Sequence, residues 1–152
     1  MRSITVKAVI PASPSEVMTL ISDTRNDPLW CPNVETAELV DGDGVAVGSK
    51  FRFHQHLDRP NGKRVEFDVD VEVIELDDLH VKWLVNDRFQ KRTITMSVAP
   101  KQGGTIVTQT TEAEFHSNPG IAKYVYPLLA KRTFKDQFNH LSDHFTDGGV
   151  SS

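Results

Sequence analysis

The sequence predicts an α+β domain, in which a curved antiparallel sheet of about seven strands wraps around a long C-terminal helix, with two short helices after strand 1. Two observations predict this class. Apolar and polar residues alternate in short runs separated by turn residues from residue 34 to about 115, as in half-buried strands. From about residue 119 apolar residues recur every three or four positions, as in an amphipathic helix. The turns between the strand runs are too short for crossovers, so the strands are antiparallel.

The N-terminal part predicts strand 1 and the two short helices. The run SITVKAVI alternates like a half-buried strand and ends at Pro11. Ser13 is suited to cap a helix that has Pro14 at its first position and Glu16 at its third. The next segment, TRNDPLWCPN, contains two prolines and predicts a second, short helical turn or loop.

Six further strands and one long helix follow. The strand runs are VETAELV, SKFRFHQHL, KRVEFDVDVEVIEL, LHVKWLV, FQKRTITMSVAP and TIVTQTTEAEF. The third run is the most regular, and it predicts a strand over residues 63–76 with Val65, Phe67, Val69 and Val71 inward and acidic residues outward. Residues from about 119 to 145 predict the longest helix.

Bulk properties narrow the class of protein. The 152 residues suit one domain, for which we expect bounds of 1–146 and a flexible tail at 147–152. A net charge of −4 argues against a nucleic-acid partner. No window approaches the roughly 18 apolar residues of a membrane span, and no secretory leader is evident, so we expect a cytoplasmic protein without a membrane span. The oligomeric state stays open.

The predicted architecture implies an internal cavity. Seven strands at about 4.8 Å spacing make a sheet roughly 30 Å wide, whereas one helix covers only about 10–12 Å. The sheet therefore has to curl, and part of its apolar lining then faces a pocket.

Three motifs resemble the START-like helix-grip superfamily (SRPBCC), in particular its polyketide cyclase/dehydrase-like and lipid-transport branch. VIPASPSEVMTLISDTRNDPLWCPNV is similar to the opening of that family, VGSKFRF to its strand entry and APKQGGTIVTQTTEAEF to its Gly-Gly hairpin. The resemblance covers almost the whole chain. It implies the helix-grip fold and a cavity for an apolar compound, but members bind or transform very different molecules.

The predicted cavity wall combines an aromatic of the short second helix with inward-facing strand and helix residues. They are Trp30, Phe51, Phe53, Phe67, Val69, Val71, Trp83, Met96, Val107, Gln109, Tyr124 and Leu128. Trp30 serves either as a plain core residue or as a ligand contact. The inward amide of Gln109 needs a partner, which Tyr124, a water molecule or a ligand oxygen could supply.

Neither a metal site nor a catalytic residue is predicted. His54 and His56 share one strand face and His140 and His144 one helix face, but both pairs lack an evident third ligand and lie on solvent-facing positions. No acid or base is evident on the inward face, and nothing near Cys31 marks a base. We therefore expect no cofactor.

The leading functional hypothesis is binding or carriage of a hydrophobic small molecule, such as a lipid, an isoprenoid or a polyketide-like compound. One alternative is a polyketide aromatase/cyclase in which Tyr124, Gln109 and Arg92 orient the chain. Another is a protein-interaction module with a nearly closed pocket.

Overall fold

The computed structural model describes the backbone of residues 2–58, 61–115 and 122–148, and the side chains of residues 3–56, 61–115 and 130–146. The elements in chain order are β1 (Arg2–Ile10), α1 (Pro14–Ile21), a 3-10 helix (Thr24–Leu29), β2 (Val34–Asp41), β3 (Lys50–Asp58), β4 (Arg64–Leu76), β5 (His80–Asn86), β6 (Gln90–Lys101), β7 (Gly104–Phe115), α2 (Ala122–Asp143) and a π-helical turn (His144–Gly148). The predicted fold class is confirmed.

The two short helices begin at the residues whose chemistry favours a helix start. Ser13 Oγ accepts a hydrogen bond from the Glu16 backbone N–H at 3.2 Å, and the Ser13 N–H donates to Glu16 Oε1 at 3.3 Å. This reciprocal capping box satisfies two backbone donors that a helix end leaves unpaired. Asp23 caps the 3-10 helix, with Oδ1 accepting from the Arg25 N–H at 3.1 Å.

The seven strands form one antiparallel sheet in the order β1-β7-β6-β5-β4-β3-β2. Strands β1 and β2, which are neighbours in sequence, therefore lie at opposite edges. The chain between them carries α1 and the 3-10 helix from one edge to the other. This topology places the 3-10 helix against β2, on the side of the sheet that the core occupies.

The predicted register of β4 is confirmed. Val69, Val71 and Val73 are buried, while the acidic residues at positions 66, 68 and 70 are exposed. A slip by one residue would exchange these two faces and bury three carboxyl groups.

Helix α2 lies within the predicted range 119–145, of which residues 119–121 are outside the described residues. Its buried residues Phe134, Phe138 and Leu141 belong to the same hydrophobic cluster as the sheet. Asp147 and Gly148 of the predicted tail belong to the π-helical turn, and residues 149–152 lie outside the described residues. Among the described helices, none is long and apolar enough to cross a membrane.

Candidate functional site

A cavity of about 90 Å³ lies between the sheet, the 3-10 helix and α2. Its apolar wall comes mainly from the strands, through Val34, Phe53, Val71, Val85, Ile94 and Met96. Helix α2 contributes Phe134 and Gln137. The wall thus consists of the side chains that also form the core, because one inward face of the sheet supplies both.

One face of the 3-10 helix borders the cavity. It has three residues per turn, so Thr24, Asp27 and Trp30 lie above one another. Thr24 is 1% exposed and Trp30 4% exposed, and both line the cavity with Asp27 and Cys31. The Asp27 carbonyl accepts hydrogen bonds from the N–H groups of Trp30 (3.1 Å) and Cys31 (2.7 Å), which orients both residues. Trp30 is therefore both a buried core residue and a part of the cavity wall.

Five polar side-chain atoms around this cavity are buried without a hydrogen-bond partner among the described residues. They are Thr24 Oγ1, Asp27 Oδ1, Trp30 Nε1, Trp83 Nε1 and Arg92 Nε. A buried polar atom without a partner costs about 1–3 kcal/mol. Native proteins contain few such atoms, so five around one cavity point to water molecules or a bound molecule as their partners.

The Asp27 carboxyl is enclosed, although other parts of the residue reach solvent. Burial raises its pKa well above the ordinary value, and the negative charge of Asp23 raises it further. Asp27 therefore keeps its proton to higher pH than an exposed aspartate. Burial and the charge of Asp27 also raise the pKa of Cys31, which favours an unreactive thiol over a nucleophilic thiolate.

Arg92 is the cationic side chain among the described residues that line the cavity, and its charge already has a partner. Its Nη2 lies 3.4 Å from Asp87 Oδ2, and the side chains are only 14% and 3% exposed. Asp87 Oδ1 also accepts from the backbone N–H groups of Phe89 (2.7 Å) and Gln90 (3.0 Å). Asp87 thus holds the side chain of Arg92 in the wall, and Arg92 Nε is buried without a partner among the described residues.

The predicted site residues divide into three groups. Those that line the cavity are Trp30, Phe53, Val71, Trp83, Met96 and Gln109. Those that the structure buries away from it are Phe51, Val69 and Val107, while Phe67 is half-buried and packs edge-to-face on Phe89 with ring centroids 5.2 Å apart. The side chains of Tyr124 and Leu128 lie outside the described residues. Alternation identifies the inward face of a strand, but not which part of that face borders the cavity.

The amide of Gln109 is buried on the predicted face, and its Nε2 donates a long hydrogen bond of 3.4 Å to Thr111 Oγ1. Thr111 was absent from the partners expected from the sequence. It lies two residues further along the same face of β7. A local side-chain partner therefore satisfies one of the amide's hydrogen-bonding groups.

The expectation that no acid or base faces the cavity is wrong. Asp27 and Cys31 line it, and so does Arg92, which the cyclase alternative had already named. The spacing of three from Thr24 to Trp30 was a sequence signal for Asp27, once the segment is taken as a 3-10 helix. For Arg92 the signal was its place in the alternation of β6, where every second side chain points inward, because it shares the inward face with Ile94 and Met96.

A second polar cluster lies on the outer face of the sheet. His54 Nδ1 is 3.1 Å from Asp68 Oδ1, and its Nε2 is 3.4 Å from Glu66 Oε1 and 3.7 Å from Glu35 Oε2. Ligand atoms of Glu35, His54 and Glu66 lie within 4.8 Å of one another, and His56 Nδ1 is 3.1 Å from Glu35 Oε1. The carboxylates come from β2 and β4, the neighbours of β3, so only the strand order reveals them. These groups pair with one another on a partly exposed surface.

Comparison with known proteins gives a family and a fold. The model of a family described as polyketide cyclase / dehydrase and lipid transport matches residues 1–145. A protein of Thermus thermophilus is 20% identical, with a TM-score of 0.76 over 99% of this chain and 100% of that chain. A major latex-like protein of Panax ginseng is 16% identical, with a TM-score of 0.75 over 94% and 96% of the two chains. A protein of Mycobacterium smegmatis is 17% identical, with a TM-score of 0.69 over 95% and 90%. None of the curated proteins matches this chain in sequence.

Proposed function

The chain belongs to the polyketide cyclase/dehydrase and lipid transport family, and from this premise we propose that it binds a small, largely apolar molecule in the cavity behind the 3-10 helix. The observation that carries the proposal is the group of five buried polar atoms without partners among the described residues, around a wall that is largely apolar. A few convergent polar groups in an apolar concavity are typical of small-molecule sites.

The size of the cavity favours a compact ligand over a long-chain lipid. Pockets that enclose drug-sized ligands measure roughly 300–1,000 Å³. The present cavity, at about 90 Å³, is well below that range. An acyl or isoprenoid chain would require the 3-10 helix or α2 to move outward, whereas a molecule of about one ring would need little rearrangement.

Native mass spectrometry of the purified protein tests the proposal directly, with a co-purified small molecule as the expected result. Tryptophan fluorescence provides a second measurement, because the chain has two tryptophans and both line the cavity. A ligand there should change their emission with a saturable dependence on its concentration. The proposal fails if neither a co-purified molecule nor saturable binding is found for a folded sample.

Two substitutions in one strand separate binding from stability. Val85 lines the cavity, whereas Val81 is equally buried on the same face of β5 and does not line it. Val85→Ala and Val81→Ala should both lower stability through the loss of buried methyl groups. Only Val85→Ala should change ligand affinity. Equal effects on affinity would show that it follows overall stability, not the cavity.

A second candidate function is acid–base catalysis on a polyketide-like molecule, and Asp27 is the observation that favours it. Enzymes in general raise the pKa of a catalytic carboxyl by enclosing it in an apolar pocket, and burial raises the pKa of Asp27 in the same direction. Asp27→Asn should then abolish turnover of a polyketide substrate and leave its binding intact. Unchanged turnover by that variant would remove Asp27 from any catalytic role.

A further inference from the structure

The polar atoms of the cavity specify what kind of molecule it accepts. We infer that the ligand is a compact, neutral molecule with a carbonyl-type oxygen and a hydroxyl group, the oxygen facing Trp83 and Arg92 and the hydroxyl facing Thr24 and Asp27. This inference rests on the proposed binding function. It adds the chemical class of the ligand and excludes acids.

The sheet side of the cavity offers hydrogen-bond donors without partners. Trp83 opposes Ile94 across β5 and β6, and Arg92 opposes Val85, so the two side chains start from neighbouring positions on one face. The atoms left over are Trp83 Nε1 and Arg92 Nε, each of which can only donate. A ligand atom that satisfies them must be an acceptor, and a carbonyl oxygen accepts two hydrogen bonds.

The side formed by the 3-10 helix offers groups that can accept. Thr24 Oγ1 and Asp27 Oδ1 belong to the same face of the helix, and both lack a partner among the described residues. A ligand hydroxyl can donate to either oxygen and accept from the other group when that group carries a proton. Trp30 Nε1, on the same face, adds a donor for the hydroxyl oxygen. A hydroxyl group therefore suits this side better than a second carbonyl.

The charges around the cavity favour a neutral ligand. Arg92 is the one cationic side chain among the described lining residues. Its charge is already paired with Asp87, whose Oδ2 lies 3.4 Å from Arg92 Nη2. Asp27 lines the same cavity, and its carboxyl is either neutral or negatively charged. An anionic ligand would therefore enter without a free cation and beside an acidic group, which is costly in an apolar enclosure.

Four probes of one-ring size test the inference by calorimetric titration of the unmodified protein. The first probe, 4-hydroxyacetophenone, carries both the carbonyl and the hydroxyl group of the inferred ligand. Of the others, 4-methylacetophenone lacks the hydroxyl, 4-ethylphenol lacks the carbonyl, and 4-hydroxybenzoate is an anion at neutral pH. Each missing hydrogen-bonding group should weaken binding roughly 3- to 10-fold relative to 4-hydroxyacetophenone. The benzoate should bind most weakly.

Trp83→Phe examines the donor side, because it keeps an aromatic ring and removes the indole N–H. The ratio of the affinity for 4-hydroxyacetophenone to the affinity for 4-ethylphenol should fall roughly 3- to 10-fold, because only the first ligand has a carbonyl oxygen to accept from the indole. The matched control is Val81→Ala, since Val81 is buried on the same face of β5 but does not line the cavity. This control should leave the order of the four probes as in the unmodified protein. If Trp83→Phe fails to fold, the order of the four affinities in the unmodified protein is by itself the test of the inference.

The possible outcomes separate this inference from the proposed function. Equal affinities for the three neutral probes would overturn the inference and leave apolar binding standing. Tightest binding of 4-hydroxybenzoate would overturn the neutral class in the same way. Binding of no probe at millimolar concentration would overturn the inference. If no molecule co-purifies either, the proposed function falls with it, because water molecules would then suffice as partners of the buried atoms.

Discussion

Asp27 is the residue at which stability and binding conflict most directly. Its carboxyl is enclosed beside Asp23 and Cys31, and Arg92, the cation that lines the same cavity, is paired with Asp87. A buried carboxyl without a compensating cation destabilises a fold. Contact with a ligand would give this destabilising acid a function.

We predict that Asp27→Asn stabilises the protein at neutral pH by about 1–3 kcal/mol. The folded-state pKa of Asp27 is raised, so the unfolded chain loses this proton first as pH rises. Stability is therefore full below the ordinary pKa of aspartate and declines as pH rises toward the folded-state pKa. Asparagine does not titrate, so the gain should vanish in acid.

Urea denaturation at about pH 4 and at neutral pH measures this difference. Asp43→Asn is the control, because Asp43 is exposed, and it should leave stability unchanged at both pH values. A loss of stability in Asp27→Asn at neutral pH would contradict the assigned environment.

We predict an elevated pKa for His54. Hydrogen bonding to Asp68, then to Glu66, favours the protonated ring, and the charge of Glu35 acts in the same direction. The contribution of His54 to stability is present below the ordinary pKa of histidine and is lost as pH rises through the elevated value. An NMR titration should show the elevation, and Asp68→Asn should reduce it. Asp70→Asn is the matched control, since Asp70 pairs with Arg52 at 3.0 Å, and it should have the smaller effect.

At the scale of elements, the short turn between β6 and β7 depends on a close approach to the end of β1. Gly104 has a φ of +145°, and a Cβ atom there would collide with the carbonyl oxygen of Ile10. Gly103 has a φ of +89°, but a Cβ atom there would have no neighbour within 4 Å. Substitutions at these two adjacent glycines therefore distinguish the cost of backbone strain from the cost of a steric collision.

We predict that Gly104→Ala destabilises the protein by about 2–4 kcal/mol, because the collision adds to the strain of a positive φ. Gly103→Ala should cost only about 1 kcal/mol, from strain alone. Thermal or urea unfolding of the two variants measures the difference. Equal losses would mean that β1 does not approach this turn as closely as the structure has it.

At the scale of the whole molecule, contacts among the described residues account for the fold without a metal ion. The described hydrophobic cluster extends from the sheet to α2, and the outer cluster around His54 is held by its own ion pairs. We predict that a chelator leaves the melting temperature unchanged. A large decrease that His54→Gln abolishes would instead identify a bound ion between Glu35, His54 and Glu66.

Much of the architecture follows from local chemistry that a single sequence carries. The alternation in β4 predicted which residues are buried, and the Ser13–Glu16 capping box predicted the start of α1. Trp30, Trp83 and Met96 were also predicted to line the cavity, and they do. These predictions succeed because side-chain direction repeats every two residues in a strand and capping depends on residues a few positions apart.

The sequence by itself determined the fold class, the faces of the strands and the presence of an apolar interior. The tertiary structure alone decided that Phe51, Val69 and Val107 pack in the core while Asp27 and Arg92 border the cavity. It also decided that carboxylates from β2 and β4 surround His54. Periodicity reports the direction of a side chain relative to its own element. The neighbours of that side chain depend on strand order and on how the connection from β1 to β2 crosses the sheet, which are contacts between residues far apart in the chain.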